Sequence, residues 1–265
     1  MVLHTPAGPP SSTVRVVTLH PLAMRFAEVA DEYERGRPDY SPAVVGAIAA
    51  ELDVPPAAPV LDLAAGTGKL TRALLAMGFD VTAVEPQAPL RDILAESIGS
   101  DRVREGLAES IPLPDGAVAA VTVADAIHWF DHTAALAEIR RVLRPGGGLA
   151  VLSTLPDWSG ASWADEVGTL MAGLRTEHPH FDGPPWHEAL RALGGWSAPR
   201  EIRVTTSQPA SAGRLVDYLA SVSWVAALPA DQRAETLERI GAIVSAGETP
   251  PVLAMHVVIG LTAPL

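Results

Sequence analysis

Apolar positions in the chain follow two different periods, which alternate between residues 59 and 153. Short runs of consecutive apolar residues, typical of buried strands, are separated by segments whose apolar residues lie three and four positions apart, as on one face of a helix. The runs predict strands at 59–63, 81–84, near 103, 118–123 and 149–153. The segments between them predict helices at 70–77, 90–98 and 131–143. This alternation favours an α/β fold, with a parallel sheet covered by helices on both faces.

The segment before this region has a different pattern. Residues 1–20 are rich in Pro, Ser, Thr and Gly, a composition that buries little and predicts a flexible tail. Helical spacing occupies residues 21–56, where Gly36 and Pro38 interrupt it. Two helices are therefore expected before the first strand.

The segment after it is less regular. Residues 155–200 contain four of the six tryptophans and predict a partly irregular insertion, or cap, over the sheet. Residues 201–207 and 253–261 predict two last strands with helical sequence between them, which brings the sheet to seven strands. The chain thus divides into five consecutive parts: 1–20, 21–56, 57–154, 155–200 and 201–265.

Charge and cysteine content exclude several classes of function. The formal net charge is -12, so the chain has no excess of cations for a phosphate backbone, and we expect no nucleic-acid partner. Cysteine is absent, which excludes disulfides and thiolate catalysis. No apolar run has the length of a signal sequence or a membrane span, so we expect a cytoplasmic protein without a membrane partner. Abundant arginine and a single lysine, Lys69, suit a GC-rich bacterial genome.

A glycine-rich turn follows the first strand, in the sequence VLDLAAGTGKLT at 60–71. Glycines at such a turn let the backbone approach a ligand closely, and the following helix start presents free N–H groups. A phosphate-binding loop would need glycine at Leu63 and a hydroxyl residue at Leu70. A dinucleotide fingerprint would need a third glycine at Thr71, and the only lysine, Lys69, leaves no tyrosine–lysine pair for a short-chain dehydrogenase.

An acidic residue ends the second strand, in the sequence VTAVEPQ. A carboxylate there, at Glu85, is placed to accept hydrogen bonds from both hydroxyls of a ribose. The turn and Glu85 together favour a ligand with an adenosine but no phosphates. Two other interpretations stay open: Asp62 as a turn former and Glu85 as a solvated strand end.

Four segments carry a resemblance to a known family: VLDLAAGTGKLTRAL, VTAVEP, GLAESIPLPDGAVAAVTVADAIHWF and IRRVLRPGGGLAVLS. In order and separation they resemble the class I S-adenosylmethionine-dependent methyltransferases, and FAEVADEYERGRPDYSP resembles the opening segment of a small-molecule branch, the type 11-like enzymes. The resemblance implies a Rossmann-like, doubly wound, mostly parallel seven-stranded sheet with an N-terminal helical lid at 21–56. It also implies transfer of the methyl group of S-adenosylmethionine to a small-molecule acceptor, with S-adenosylhomocysteine as product.

The resemblance also implies which residues bind the cofactor. Gly66 and Gly68 would pass beneath its methionine part, and Asp62 would meet the amino group directly or through water. Ala64 in the same turn would also contact the cofactor. Glu85 would hold the ribose. The remaining implied contacts are Pro86, Ala108 and Glu109 at the adenine, Ala124 at the fourth strand, and Tyr33 and Arg37 from the lid, with Arg37 pairing with the methionine carboxylate. Leu107 stands where many relatives have aspartate, which leaves the adenine amine to a backbone group or to Glu109.

The segment ADAIHWF ends the fourth strand, at the edge where doubly wound sheets place their ligands. His128 and Asp125 are therefore the candidate catalytic bases, although methyl transfer to a free amine or activated carbon needs none. Tyr40, Trp129 and Trp158 are the candidate acceptor-binding residues. Three other interpretations stay open: His128 and Trp129 packed under the next helix, Tyr40 at a solvated helix end, and Trp158 in the core of the cap.

The sequence predicts no metal site and leaves the finer function undecided. His178, His180 and His187 are spaced too loosely for a metal site. The acceptor, the methylated atom and a homodimeric state stay open. Two other classes of function also stay open: an enzyme that alkylates the cofactor's own amino-acid chain, and a non-catalytic binding module. Methylthioadenosine as coproduct would indicate the first, and cofactor binding without turnover would indicate the second.

Overall fold

The structure is a computed structural model that describes residues 18–175 and 177–265. The flexible tail predicted at 1–20 lies outside the described residues except for its last three positions. Within the described ranges, no helix is long and apolar enough to cross a membrane.

Seven strands form one sheet in the order β3-β2-β1-β4-β5-β7-β6. The strands are β1 (Pro59–Leu63), β2 (Asp80–Val84), β3 (Val103–Arg104), β4 (Val118–Ala124), β5 (Leu143–Pro156), β6 (Arg200–Pro209) and β7 (Val252–Thr262). Strands β1 to β5 pair in parallel, whereas β7 pairs antiparallel with both β5 and β6. The prediction of an α/β, Rossmann-like, mostly parallel seven-stranded sheet is therefore confirmed.

Helices cover both faces of the sheet because alternate residues of each strand point to opposite sides. On one side Leu61 and Leu63 of β1 belong to a core with α6 (His132–Val142) and α9 (Trp186–Leu193). On the other side Val60 belongs to a core with α3 (Pro42–Glu51) and α4 (Lys69–Ala76). This packing fixes the carboxyl ends of β1, β2 and β4 at one edge, which is the edge where the candidate site lies.

The helix predicted for residues 21–36 is divided into three pieces. They are α1 (Pro21–Met24), a 3₁₀ turn (Arg25–Val29) and α2 (Ala30–Gly36). Val29 leaves the helical region, with φ -128° and ψ 29°, while its side chain is buried. The resulting bend lets α1 and α2 pack on different parts of the site. Of the lid predicted at 21–56, α3 (Pro42–Glu51) packs in a core of the sheet. We therefore use the word lid below for the segment 18–40 alone.

The remaining helices are α5 (Ala88–Ile98), α7 (Ala164–Leu174), α8 (Pro179–Asp182), α10 (Ala212–Ala220), α11 (Ser223–Ala226) and α12 (Ala230–Ala246). Helices α7, α10, α11 and α12 share a third core, which we call the cap core. The predicted cap insertion at 155–200 thus shares its core with helices from 201–265. The stripe predicted on α6 ends earlier than expected, since Leu143 is extended and pairs with Val118 at the start of β5.

Candidate active site

The turn between β1 and α4 adopts backbone conformations that favour glycine. Gly66 has φ +58° and Gly68 has φ +90°, and Ala64 before them is also left-handed at +56°. The Gly66 N–H donates to Glu85 Oε2 at 2.9 Å, so the turn is tied to the end of β2. A Cβ at Gly66 would lie 3.6 Å from the Tyr33 ring and would fill the gap between the turn and the lid. Glycine at position 66 therefore keeps a cleft open.

Glu85 is buried at the end of β2, and its two oxygens face backbone donors. Oε2 accepts from Gly66 N and Oε1 accepts from Gln87 N, each at 2.9 Å. Burial raises the pKa of Glu85 to about 7, although both hydrogen bonds oppose the rise. Each carboxylate oxygen can accept a second hydrogen bond, so Glu85 has capacity left for two ligand hydroxyls.

Asp62 is buried at the end of β1 and is surrounded by hydroxyl groups. Thr71 Oγ1 donates to its Oδ2 at 2.6 Å, and Thr122 Oγ1 donates to its Oδ1 at 3.0 Å. Burial raises the pKa of Asp62 to about 6. No cation is hydrogen-bonded to this carboxylate among the described residues. A ligand amino group would therefore meet a fixed and uncompensated acceptor.

A cleft, which we call the large cavity, opens over the carboxyl ends of the strands, and its space together with the solvent at its mouth is about 830 Å³. Its walls include Ala64, Gly66, Glu85, Pro86 and Ala124. Ala108 and Glu109 close the same cavity from the loop after β3.

A second cavity of about 410 Å³, the small cavity, adjoins it. Asp62, Tyr40 and Lys69 line the small cavity only. Five residues line both cavities and mark what we call the joint: Tyr33, Arg37, Ala64, Ala124 and Asp125. The structure thus brings most of the predicted site residues to two connected cavities at the predicted sheet edge.

Arg37 lies between two tyrosine rings at the joint. Its guanidinium carbon is 5.0 Å from the ring centroid of Tyr33 and 5.0 Å from that of Tyr218. Nε donates to Ser221 Oγ at 2.9 Å and an Nη atom donates to the Ser221 carbonyl at 3.0 Å. These partners fix the side chain and leave its charge without a bonded carboxylate, so it can pair with an acidic group of a ligand.

Asp125 follows β4 with φ +51°, a left-handed conformation that Asp tolerates better than most residues. Its Oδ1 accepts from Thr154 N at 2.8 Å, and its Oδ2 accepts from the Tyr40 hydroxyl at 3.0 Å. The same hydroxyl lies 3.0 Å from Thr154 Oγ1. Burial raises the pKa of Asp125. Its carboxylate is therefore held firmly in the wall of both cavities.

His128 lies next to these cavities but lines neither. Its ring centroid is 4.6 Å from that of Trp129, 4.9 Å from His180 and 5.6 Å from His178. Burial, together with these imidazoles, lowers the pKa of His128 to about 3, so the ring is neutral at pH 7. Within the part of the chain that the structure describes, no group of His, Asp or Glu side chains has the arrangement of a metal site.

Three further predicted residues have distinct positions. Trp129 lines the large cavity and contacts the ring of Phe26 on the lid. Gly68 lines neither cavity, and a Cβ there would lie 2.5 Å from Leu94 Cδ1, so this glycine permits the packing of α4 against α5. Trp158 lines neither cavity; it packs against the cap core and contacts the ring of Tyr218.

Sequence reasoning missed the residues that roof the large cavity from the lid. Leu19, Ala23 and Phe26 line it, and the Gln87 side chain donates to the Ala23 carbonyl at 3.0 Å. Nothing in the local sequence marks these residues as ligand contacts. A signal existed only for Gln87, which stands two positions after Glu85 in the quoted motif.

The donor and acceptor set fits an adenosine joined to an amino acid. Glu85 has free acceptor capacity beside the large cavity, while Asp62 and Arg37 offer opposite charges to the small one. The joint connects the two cavities. S-adenosylmethionine has this order of groups: ribose hydroxyls, a sulfonium, and an amino acid with both charges.

Comparison with known proteins agrees with this fit. Residues 61–151 match the model of a methyltransferase domain. An uncharacterised methyltransferase of Mycobacterium tuberculosis is 35% identical over 234 residues, covering 88% of this chain and 89% of that protein. A demethylmenaquinone methyltransferase of Thermus thermophilus is 42% identical over 109 residues, covering 38% of this chain and 50% of that protein.

A solved structure gives the same result for the fold. A proposed type II methyltransferase from Anaeromyxobacter dehalogenans superposes with a TM-score of 0.57 at 24% identity, covering 86% of this chain and 97% of that one. The methyltransferase-domain model and the Mycobacterium tuberculosis relative indicate the same family, and the solved structure has the same fold. The chain belongs to the class I S-adenosylmethionine-dependent methyltransferases, and its cofactor is S-adenosylmethionine.

Proposed function

We propose that this methyltransferase modifies a small molecule. The observation that carries the proposal is the closure of the two cavities: Leu19, Ala23 and Phe26 of the lid cover the large cavity, and Ser221, directly after α10, holds Arg37. A polymer would need an open groove at this edge. The net charge of -12 further disfavours a nucleic-acid acceptor.

Each end of the site has a proposed task in holding the cofactor. Glu85 accepts hydrogen bonds from the ribose hydroxyls, and Pro86, Ala108 and Glu109 enclose the adenine. Glu109 Oε1 already accepts from Asp131 N at 2.8 Å, which leaves Oε2 for the adenine amine. Asp62 and Arg37 meet the amino and carboxylate groups. These contacts orient the methyl group toward the acceptor.

When bound, S-adenosylmethionine supplies an electrophilic methyl group whose leaving group is neutral. The chain therefore needs no acid at the leaving sulfur, and its main contribution is alignment of donor and acceptor with exclusion of water. We place the acceptor against Trp129, whose ring centroid is 5.8 Å from that of Phe26 and 4.8 Å from that of His178. We further propose a cytoplasmic enzyme of a bacterial specialised pathway.

Methyl-labelled S-adenosylmethionine tests the acceptor class. The protein is incubated with a bacterial extract divided by ultrafiltration into small molecules and polymers, and label and coproduct are measured in both. We expect label in the filtrate and S-adenosylhomocysteine as coproduct. Label confined to the polymers would contradict a small-molecule acceptor, methylthioadenosine would indicate alkylation within the cofactor, and binding without turnover of any fraction would indicate a binding module.

Replacement of His128 tests whether it is a base or a support for Trp129. An imidazole with a pKa of about 3 is a weak base, whereas its ring packs 4.6 Å from Trp129. We therefore expect His128→Ala to lower kcat about 10-fold with little change in affinity for S-adenosylhomocysteine, and His128→Phe to restore most of the turnover. A loss on the order of 10²-fold in both variants would instead assign His128 the role of general base.

A further inference from the structure

The joint between the two cavities carries an unusual balance of charges. If the adenosine occupies the large cavity and the amino-acid chain the small one, as proposed above, the sulfonium between them faces the residues that both cavities share. One of these residues is a cation, Arg37, and one is an anion, Asp125. The others are uncharged: Tyr33, Ala64 and Ala124.

Arg37 is not hydrogen-bonded to Asp125. Its described donors are directed to Ser221, and its guanidinium is stacked between Tyr33 and Tyr218. The other cation beside the cavities, Lys69, lies 3.1 Å from Asp39 and 3.3 Å from Glu34 and is neutralised by them. Asp125 therefore faces the joint with only neutral donors bonded to its carboxylate.

Those neutral donors fix the carboxylate in place. Thr154 N–H holds one oxygen and the Tyr40 hydroxyl holds the other, and the left-handed backbone at Asp125 turns the side chain toward them. Burial raises the pKa of Asp125, because an anion there carries a desolvation cost that the hydrogen bonds from Thr154 and Tyr40 and the charge of Arg37 offset only in part. A ligand cation at the joint would offset this cost.

We propose that Asp125 is the counter-charge of the cofactor's sulfonium, held in position by Tyr40 and Thr154. The proposal rests on the arrangement of the cofactor proposed above. Transfer of the methyl group removes the positive charge from sulfur, so the attraction acts on S-adenosylmethionine and not on S-adenosylhomocysteine. Asp125 would thereby favour binding of S-adenosylmethionine over binding of S-adenosylhomocysteine.

Calorimetric titration of both ligands tests this role without an acceptor. We expect Asp125→Asn to weaken binding of S-adenosylmethionine about 10- to 100-fold and to change that of S-adenosylhomocysteine less than about 3-fold, since a charge–charge contact is lost only with the first. Asparagine also tolerates a left-handed backbone, so the variant should fold. Tyr40→Phe should shift the same ratio of affinities in the same direction by a smaller factor.

A matched control removes a carboxylate from the large cavity but not from the joint. Glu109→Gln has the same change in charge, and we expect it to leave the ratio of the two affinities unchanged. Equal losses of affinity for both ligands in Asp125→Asn, or no loss for either ligand, would contradict the proposal that Asp125 is the counter-charge of the sulfonium. Either outcome leaves the small-molecule acceptor untouched, because that proposal is tested by the label transfer.

Discussion

Glu85→Ala is expected to weaken binding of S-adenosylhomocysteine by about 10- to 100-fold. Hydrogen bonds to a charged group contribute about 1.5–3 kcal/mol, and this substitution removes two acceptor atoms facing the large cavity. It also frees the Gly66 and Gln87 N–H groups that the carboxylate now binds. The change is measured by calorimetric titration, with thermal unfolding followed in parallel to confirm that the variant is folded.

A second variant separates the charge of Glu85 from its shape. Glu85→Gln keeps the volume and one oxygen acceptor, so an intermediate loss is expected. The pKa of Glu85 is about 7 without ligand, and hydroxyl donors stabilise the charged form. Binding should therefore lower this pKa, and affinity should fall as the pH drops below about 7 in the wild type but not in Glu85→Gln. Unchanged affinity in a folded Glu85→Ala protein would contradict the ribose assignment.

The parts of the site predicted from sequence are those that depend on local backbone geometry. Gly66 is needed because the turn after β1 has a positive φ, and Glu85 ends a strand adjacent to that turn. Such features lie within a short stretch of chain, where periodicity and glycine position are informative. The sheet and its strands could be predicted for the same reason, whereas S-adenosylmethionine was implied by the resemblance to the methyltransferase family.

The parts that sequence could not predict depend on contacts between distant segments. Trp158 is an example, because an aromatic residue in an insertion packs equally well in a cap core or against a ligand. His128 is another: burial lowers its pKa, and so do His180 and His178, which lie about fifty residues away in sequence. Docking of the lid on α10 could not be predicted either, since no local pattern indicates that Gly36 contacts Tyr218.

That docking brings the backbone of α2 close to the backbone of α10. An added Cβ at Gly36 would lie 2.2 Å from Tyr218 N and 2.4 Å from the Asp217 carbonyl carbon, so the two backbones touch. Beside this contact, Arg35 donates to both oxygens of Asp217, at 2.9 and 3.0 Å. Arg37, one residue beyond, is bonded to Ser221. The position of the lid over both cavities therefore depends on the absence of a side chain at Gly36.

Gly36→Ala is accordingly expected to separate the lid from α10 and to damage the site. Overpacking of this kind costs about 1–3 kcal/mol, and displacement of a positioning residue by about 1 Å lowers turnover on the order of 10²-fold. Because Tyr33 and Arg37 line both cavities, affinity for S-adenosylhomocysteine should fall at least about 10-fold. Calorimetric titration and single-turnover methyl transfer measure these losses, and faster tryptic cleavage after Arg35 reports release of the lid.

Gly46→Ala is the matched control, because it makes the same chemical change in α3 where no atom lies within 4 Å of the added Cβ. Alanine is the better helix former by about 1 kcal/mol, so this variant should be as stable as the wild type or more so, with unchanged affinity. If Gly36→Ala binds the cofactor and resists trypsin as the wild type does, the lid is not held by the contact with Tyr218. If both alanine variants lose affinity alike, the loss comes from the helices themselves rather than from the closure of the site.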